Sequence, residues 1–394
     1  MRPSVHRLTK GVKGAKAGKD NRMSPLILSC ATCLGILGYT YAGYPLVIAI
    51  WARLRSRPIA ADCSWRPQVS VLCSVYNGGA DIVAKLASIR ELDYPSELVD
   101  IWFYDDCSSD DSRVQLDAIA KQFANVHVIH GLERSGKPTA LNRLAAEAAG
   151  DVFLLTDIRQ SLSSASLTRL VAALGDFTIG CAGGTLELKS DSESGSGAGA
   201  YWHYERWIRR NESRFRSVVG VSGSLYAIRA LDFPVIPVDM ILDDLFVPMS
   251  VRMAGKRVVL IDEAIATDRA ADDGREFARK VRTLAGNYQL LTRMPRLLVP
   301  FLNPSWFELV SHKLLRLVCP WALIGLAVCS GIGALTGSPF MIGLVGVQAV
   351  AYIAALLGPA AGKVGRLART FVVLNSAAVV GLSRFIRGKQ AITW

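Results

Sequence analysis

Two long uncharged apolar runs constrain the folding of this chain more than any other feature. Residues 25–51 form a run of 27, and residues 317–362 a run of 46, without a single Asp, Glu, Lys or Arg. Since a helix rises about 1.5 Å per residue, roughly 20 residues cross the hydrocarbon core of a bilayer. The first run therefore predicts one membrane crossing and the second predicts two. This pattern excludes a water-soluble enzyme, a disordered chain and a short cleavable secretory signal.

The positive charge is concentrated beside these runs. The net charge is +12, and residues 1–22 carry seven Lys or Arg against one Asp. Juxtamembrane cations favour anionic lipid headgroups and the cytoplasmic side of a membrane. No basic patch interleaved with aromatic residues occurs elsewhere, so nucleic acid is excluded as a partner. Charge counting around the first helix would place the middle of the chain outside. We expect it in the cytosol instead, and hypothesise that the natural chain starts at Met23.

The apolar runs divide the chain into anchors and one central domain. We expect a multi-pass protein of the cell's inner (plasma) membrane that contacts lipids at both ends. The predicted segments are a basic tail (1–22), a first transmembrane helix (23–52), a cytoplasmic domain (68–293), an interfacial helix (303–316), second and third transmembrane helices (317–336 and 339–358) and a fourth helix, spanning or interfacial (367–386).

The first part of the central domain alternates strand and helix patterns. Short runs rich in β-branched and aromatic residues predict strands, and amphipathic stretches between them predict helices. The predicted strands are 69–75, 99–104, 126–130 and 152–156. This order predicts an α/β fold, with a parallel Rossmann-like sheet between helices and ligands bound beyond the carboxyl ends of the strands.

Polar side chains follow each predicted strand. They are Tyr76 and Asn77, Asp105 and Asp106, Lys137, and Asp157 with Arg159. An Asp at a strand end can simply cap the next helix, but four such ends together indicate a binding site. Further on, Gly223 and Ser224 predict a tight turn before a strand, and Asp243 and Asp244 begin a helical stretch. Paired acids at that position also favour the helix dipole, so the pair by itself does not identify a site.

One motif matches a phosphate-binding loop only in part. Residues 131–137 match its first seven positions, but Pro138 occupies the eighth, where a magnesium-binding Ser or Thr is required. This disfavours a nucleotidase. Lys137 is still a cation beside the start of a helix, which is a suitable place for a phosphate.

Taken in order, these motifs resemble the membrane-anchored family-two glycosyltransferases, the group that contains cellulose, chitin and hyaluronan synthases. The resemblance covers about residues 69–286. It implies a GT-A-like, Rossmann-like nucleotide-diphospho-sugar transferase domain. The implied enzyme transfers a hexosyl or N-acetylhexosaminyl group with inversion from a nucleotide-diphosphate sugar, a UDP-sugar, to a polysaccharide or lipid-linked acceptor.

The resemblance also implies roles for individual residues. Asp105 or Asp106 resembles the carboxylate that grips the nucleotide base, and Lys137 resembles a lysine near the base and diphosphate. Asp157 resembles the first acid of a D-x-D element that holds Mg²⁺ or Mn²⁺, and Asp244 resembles the general base. The remaining implied substrate-binding residues are Tyr76, Asn77, Arg159, Gly223, Ser224, Asp243, Arg279 and Arg282.

The sequence departs from the family pattern in two places. Arg159 stands where D-x-D has its second acid, so either Asp157 alone holds the metal or Arg159 neutralises the diphosphate itself. The Q-x-x-R-W mark of processive synthases is reduced to Arg279 and Arg282 followed by Thr283. Sugar transfer is therefore better supported than processive polymerisation.

Two other classes of function stay open at this stage. A membrane transporter is disfavoured because no ionisable residue lies inside the apolar runs. A non-enzymatic nucleotide-binding membrane protein would differ from an enzyme in releasing no UDP from UDP-sugars. The sequence does not indicate the sugar, the acceptor or the oligomeric state.

Overall fold

The structure is a computed structural model that describes residues 25–189, 197–269 and 273–390. The predicted basic tail, residues 1–22, lies outside the described residues.

A single eight-stranded mixed sheet organises the central domain. Its spatial order is β3-β2-β1-β4-β7-β6-β8-β5. The strands are β1 (Val69–Val75), β2 (Val99–Asp105), β3 (Val126–His130), β4 (Val152–Thr156), β5 (Ser161–Leu162), β6 (Ile179–Lys189), β7 (Leu225–Arg229) and β8 (Arg257–Arg269). The first four strands are parallel to one another, whereas β7 is antiparallel to both β4 and β6. The α/β class predicted from the sequence is confirmed.

Helices connect the strands and extend beyond the sheet at both ends of the chain. In order they are α1 (Pro25–Gly38), α2 (Tyr44–Leu54), α3 (Gly79–Arg90), α4 (Ser112–Gln122), α5 (Lys137–Glu147), α6 (Ser166–Leu174), α7 (Gly197–Phe215), α8 (Asp243–Met253), α9 (Asp273–Arg293), α10 (Trp306–Leu309), α11 (Leu315–Leu335), α12 (Pro339–Leu357) and α13 (Gly362–Ile386).

Strand β1 shows why the sheet lies between two apolar layers. All seven of its residues are buried. Val71 belongs to the core cluster that contains residues of α3, α4 and α6, whereas Leu72 belongs to the cluster that contains residues of α5 and α8. Because successive side chains of a strand point to opposite faces, an unbroken apolar run is what a strand covered on both sides requires.

Among the described residues, three helical segments are long and apolar enough to cross a membrane: Pro25–Leu54, Trp306–Leu335 and Pro339–Ile386. The first contains a π-helical turn at Tyr39–Gly43 and the second contains one at Val310–Leu314. The predicted interfacial segment 303–316 lies mostly in the first turns of that second, continuous helix. The predicted fourth helix, 367–386, falls within α13.

A buried polar cluster joins these helices to the central domain. The Tyr44 hydroxyl donates to Glu212 Oε1 at 2.5 Å, and His312 Nδ1 lies 2.7 Å from the same oxygen. Arg316 is paired with Glu205. Both acids lie on α7, whereas their partners lie on the apolar segments, so α7 is one element that connects the two parts.

Candidate active site

The carboxyl ends of β1 and β4, the turn before β7 and the starts of α5 and α8 surround one open cavity of about 350 Å³. Most of the site residues predicted from the sequence line it. They are Tyr76, Asn77, Lys137, Asp157, Arg159, Gly223, Ser224, Asp243, Asp244, Arg279 and Arg282. Residues more than 200 positions apart in the chain therefore meet at the sheet edge where an α/β fold binds ligands.

Lys137 is the cation at the centre of this cavity. Gly136, with φ at 86°, provides the turn from which α5 begins at Lys137. The Lys137 ammonium lies 2.7 Å from Asp157 Oδ1 and 3.2 Å from Asp243 Oδ2. Burial alone would lower the pKa of Lys137, but the two carboxylates raise it above its ordinary value. The group is therefore a permanent positive charge.

The turn before β7 leaves room for this ammonium group. A Cβ on Gly223 would lie 3.4 Å from Lys137 Nζ and 3.5 Å from Asp244 Cβ. Ser224 joins the same turn to the end of β4, since its carbonyl accepts a hydrogen bond from Thr156 Oγ1 at 2.8 Å. Gly223 thus lies within van der Waals distance of both Lys137 and Asp244.

Asp244 has the properties of a proton acceptor. It is in the first turn of α8, directly after Asp243. Burial and the negative charge of Asp243 raise the pKa of Asp244 to about 6, although the cations Lys137, Lys313 and Arg209 act in the opposite sense. A carboxylate with a pKa just below neutrality is ionised at pH 7 and accepts a proton more readily than an ordinary aspartate.

Asp105 and Asp106 are oriented away from the cavity. Both are buried, with exposed fractions of 0% and 1%. Asp105 Oδ1 accepts a hydrogen bond from Ser108 N at 3.0 Å, and Asp106 accepts from Ser135 N at 2.7 Å and from Gly136 N at 2.9 Å. Asp106 thus holds the loop that precedes Lys137, Asp105 holds the turn after β2, and neither acid lines the cavity.

Tyr76 and Asn77 form the opposite side of the cavity. Asn77 has a positive φ of 48°, and its Oδ1 accepts a hydrogen bond from Ser109 N at 2.8 Å, which ties the β1 loop to the β2 loop. The Arg134 guanidinium carbon lies 3.7 Å from the Tyr76 ring centroid. An aromatic ring whose orientation is fixed by a cation–π contact is a suitable stacking surface for a nucleotide base.

Lys85 is a residue of this region that the sequence analysis missed. It is only 1% exposed, and its ammonium donates to Thr156 Oγ1 at 2.6 Å and to the Gln160 carbonyl at 2.7 Å. Burial lowers its pKa to about 8. The signal was present in the sequence: Lys85 lies on the buried stripe of α3 with Ile82, Leu86 and Ile89, where an apolar residue is expected.

The donor set around Asp157 does not fit the divalent metal that the resemblance implies. Lys137 already neutralises its carboxylate, and two positions later Arg159 contributes a cation in place of an acid. Arg159 Nη2 lies 3.6 Å from Asp268 Oδ2, and that oxygen also accepts a hydrogen bond from Gln160 Nε2 at 2.7 Å. Over residues 25–189, 197–269 and 273–390, no three His, Cys, Asp or Glu side chains are grouped as metal ligands.

Arg279 and Arg282 reach the cavity from α9. Behind this helix lies α13, which packs closely against its backbone. A Cβ on Gly381 would lie 3.0 Å from Ala285 N and 3.1 Å from Val281 O. One wall of the cavity is therefore backed by a segment long and apolar enough for a membrane.

Comparison with known proteins shows similarity to one family over part of the chain. Residues 70–230 match the family model described as glycosyl transferase family 2. Among curated proteins, the β-monoglucosyldiacylglycerol synthase of Synechocystis sp. is 30% identical over 116 residues, which are 29% of this chain and 24% of that protein. The enzyme of the same name from Trichormus variabilis is 31% identical over 108 residues, 27% of this chain and 23% of the relative. The matches thus span about a quarter of the length of these relatives.

Among solved structures, the mannosyltransferase PcManGT from Pyrobaculum calidifontis, in complex with GDP-Man and Mn²⁺, aligns with a TM-score of 0.73. The alignment covers 92% of this chain and 99% of PcManGT at 22% identity, which shows a shared GT-A-like fold. The family match and this fold agree with the resemblance drawn from the motifs. Residues 70–230 of this chain are therefore similar to glycosyltransferase family 2 domains, and the overall fold is GT-A-like.

Proposed function

We propose that this protein is a membrane-anchored, inverting glycosyltransferase that moves a hexosyl or N-acetylhexosaminyl group from a UDP-sugar to a lipid acceptor. One observation carries the proposal: Lys137, Asp157, Asp243 and Asp244 meet in a single cavity beyond the strand ends. A nucleotide diphosphate needs cations, and an acceptor hydroxyl needs a base. The cavity contains both within a few ångströms.

The transfer requires two events at the anomeric carbon. The bond from this carbon to the diphosphate oxygen breaks, and its electron pair stays on the diphosphate, where Lys137 stabilises the developing negative charge. The acceptor oxygen attacks the opposite face of the same carbon, which inverts its configuration. Its proton passes to the carboxylate of Asp244. Asp157 and Asp243 hold the Lys137 ammonium in place for this step.

Three observations favour a lipid acceptor over a growing polysaccharide. The curated relatives are named as glucosyldiacylglycerol synthases. Helix α9, which carries Arg279 and Arg282, packs directly on the apolar helix α13. Thr283 stands where processive synthases have a Trp, so the aromatic platform for a polymer end is missing from this element. A diacylglycerol would bring its hydroxyl to the cavity along this wall.

We further propose that the three apolar segments make the protein multi-pass in the inner membrane, with the catalytic domain in the cytosol. The segments Pro25–Leu54 and Trp306–Leu335 meet α7 at the buried cluster of Glu205, Glu212 and His312. This contact would hold the cavity at a fixed height above the bilayer surface. A cytosolic location also gives the site access to nucleotide sugars.

The test uses the full chain reconstituted in nanodiscs that contain diacylglycerol. A panel of UDP- and GDP-sugars with labelled sugar groups is supplied, and the label is followed into organic-extractable lipid. We expect one UDP-sugar to label a glycolipid whose anomeric configuration, measured by NMR, is opposite to that of the donor. Label in a water-soluble polymer would contradict the lipid acceptor. No nucleotide release from any donor would contradict the proposed function.

A further inference from the structure

The loop Asp157–Gln160 differs from a metal-binding element in the charge that it presents to the cavity. The acid at its first position is paired with the Lys137 ammonium at 2.7 Å. The side chain at its third position, where a second acid would complete a metal pair, is the guanidinium of Arg159. A metal placed between these positions would have one carboxylate ligand, already neutralised, and a neighbouring positive charge.

Arg159 is available to a ligand that enters the cavity. Its side chain is 58% exposed, and its contact with Asp268 is an ion pair at 3.6 Å without a hydrogen bond. Asp268 itself is buried, and its carboxylate also accepts hydrogen bonds from Gln160 Nε2 at 2.7 Å and from Arg269 N at 2.8 Å. Both oxygens of Asp268 therefore keep a hydrogen-bond donor when Arg159 leaves this acid for a diphosphate.

Lys85 holds the loop Asp157–Gln160 in place. The two hydrogen bonds from the Lys85 ammonium, to Thr156 Oγ1 and to the Gln160 carbonyl, fix both ends of the loop. This arrangement presents Arg159 on a rigid support in the cavity that Lys137 also lines. A guanidinium binds two phosphate oxygens at once in a fixed geometry, and a lysine adds a compact point charge.

We propose that Arg159 and Lys137 together take the place of the divalent cation, so that the protein binds the diphosphate of its donor without a metal. The inference rests on the proposed function, because it concerns the nucleotide-diphosphate sugar of that same cavity. It differs from what the D-x-D resemblance implies, and it assigns to Arg159 the positive charge that a metal on a second acid would supply.

The test is equilibrium binding of UDP to the detergent-purified full chain, measured by calorimetry in EDTA and in excess MnCl₂. We expect the wild-type dissociation constant to agree between the two buffers within about threefold. Arg159→Ala is expected to weaken binding in EDTA by about tenfold or more, because a charge-assisted bidentate contact is lost. Arg159→Lys keeps the positive charge but not the two-pronged guanidinium, so its dissociation constant for UDP in EDTA should lie between those of the wild type and Arg159→Ala.

The matched control is Arg169→Ala, which removes an exposed Arg in α6 outside the cavity and should leave UDP affinity unchanged. Melting curves establish that each variant is folded. Wild-type binding that requires Mn²⁺, or an Arg159→Ala protein that binds UDP in EDTA as tightly as the wild type, would overturn the proposal. Binding of neither UDP nor GDP in either buffer would instead overturn the proposed function, and this inference with it.

Discussion

The raised pKa of Asp244 leads to a specific pH dependence of sugar transfer. With a pKa of about 6, Asp244 is about nine-tenths ionised at pH 7 and about one-tenth ionised at pH 5. Only the ionised form accepts the acceptor proton. We therefore expect kcat/KM to fall about tenfold between pH 7 and pH 5. An aspartate with its ordinary pKa would stay mostly ionised over this range, and the rate would hardly change.

The assay is nucleotide release by the reconstituted protein at subsaturating donor, in buffers of constant ionic strength. Asp244→Asn removes the base while it preserves the shape of the side chain, and is expected to lower kcat by 10²- to 10⁴-fold, as loss of general base catalysis typically does. The pH profile of the residual activity of this variant should show no inflection near pH 6. Nucleotide binding should be nearly unchanged, because the diphosphate contacts of Lys137 are retained.

Glu147→Gln is the matched control, because this exposed acid lies at the end of α5 and does not line the cavity. It should reproduce the wild-type profile. A flat profile from pH 5 to pH 7 in the wild type, or full activity in Asp244→Asn, would refute the assignment of Asp244 as the base.

Three further predictions concern stability. Burial lowers the pKa of Lys85 to about 8, so the native state binds the Lys85 proton less tightly than the unfolded state. In denaturant titrations, the free energy of unfolding of the wild type should therefore rise by about 2 kcal/mol relative to that of Lys85→Met between pH 7 and pH 10. A difference between the two proteins that does not change with pH would contradict this prediction. Gly150→Ala should lower the free energy of unfolding by about 1 to 3 kcal/mol, because the new Cβ would lie 2.6 Å from the Ser70 backbone nitrogen. The control Gly274→Ala should not destabilise the protein, because nothing lies within 4 Å of its Cβ. Equal melting temperatures of the two variants would refute the steric contact at Gly150. Glu212→Gln should lower the melting temperature in detergent, because it weakens a buried acceptor that Tyr44 and His312 share. The control Glu187→Gln should leave the melting temperature unchanged, because the Glu187 side chain is 44% exposed in its ion pair. A larger loss in Glu187→Gln than in Glu212→Gln would show that the junction does not depend on Glu212.

Much of the central domain was predictable because its information is local. The runs that became β1 to β4 are short and apolar, the helices between them are amphipathic, and parallel order brings their ends to one edge. The prediction that Lys137 and Asp157 belong to one site followed from this topology, whereas the role of Asp244 was implied by the family resemblance. The strands β6 and β8 were not predicted, since β6 contains three glycines and β8 contains the adjacent acids Asp262 and Glu263, residue types that are depleted in strands.

The missed features depend on tertiary contacts that no local pattern contains. Asp105 and Asp106 looked like ligand-binding residues, but the loop before Lys137 places its backbone N–H groups beside Asp106 and buries the carboxylate. The position of Lys85 on the apolar stripe of α3 indicated its burial, but its hydrogen-bond partners Thr156 and Gln160 come from the β4 end and could not be read from the helix. The polar cluster around Glu212 could not be predicted from the sequence either, because the partners of Glu212 are Tyr44 and His312, which are far away in the chain.

The most direct test of a nucleotide-sugar cavity at the strand ends is a structure of the full-length Asp244→Asn variant with an intact UDP-sugar, in which the missing base prevents turnover. We expect the diphosphate against the Lys137 ammonium and the anomeric carbon facing residue 244. A nucleotide bound elsewhere on the domain, or an anomeric carbon turned away from α8, would contradict this placement of the reaction.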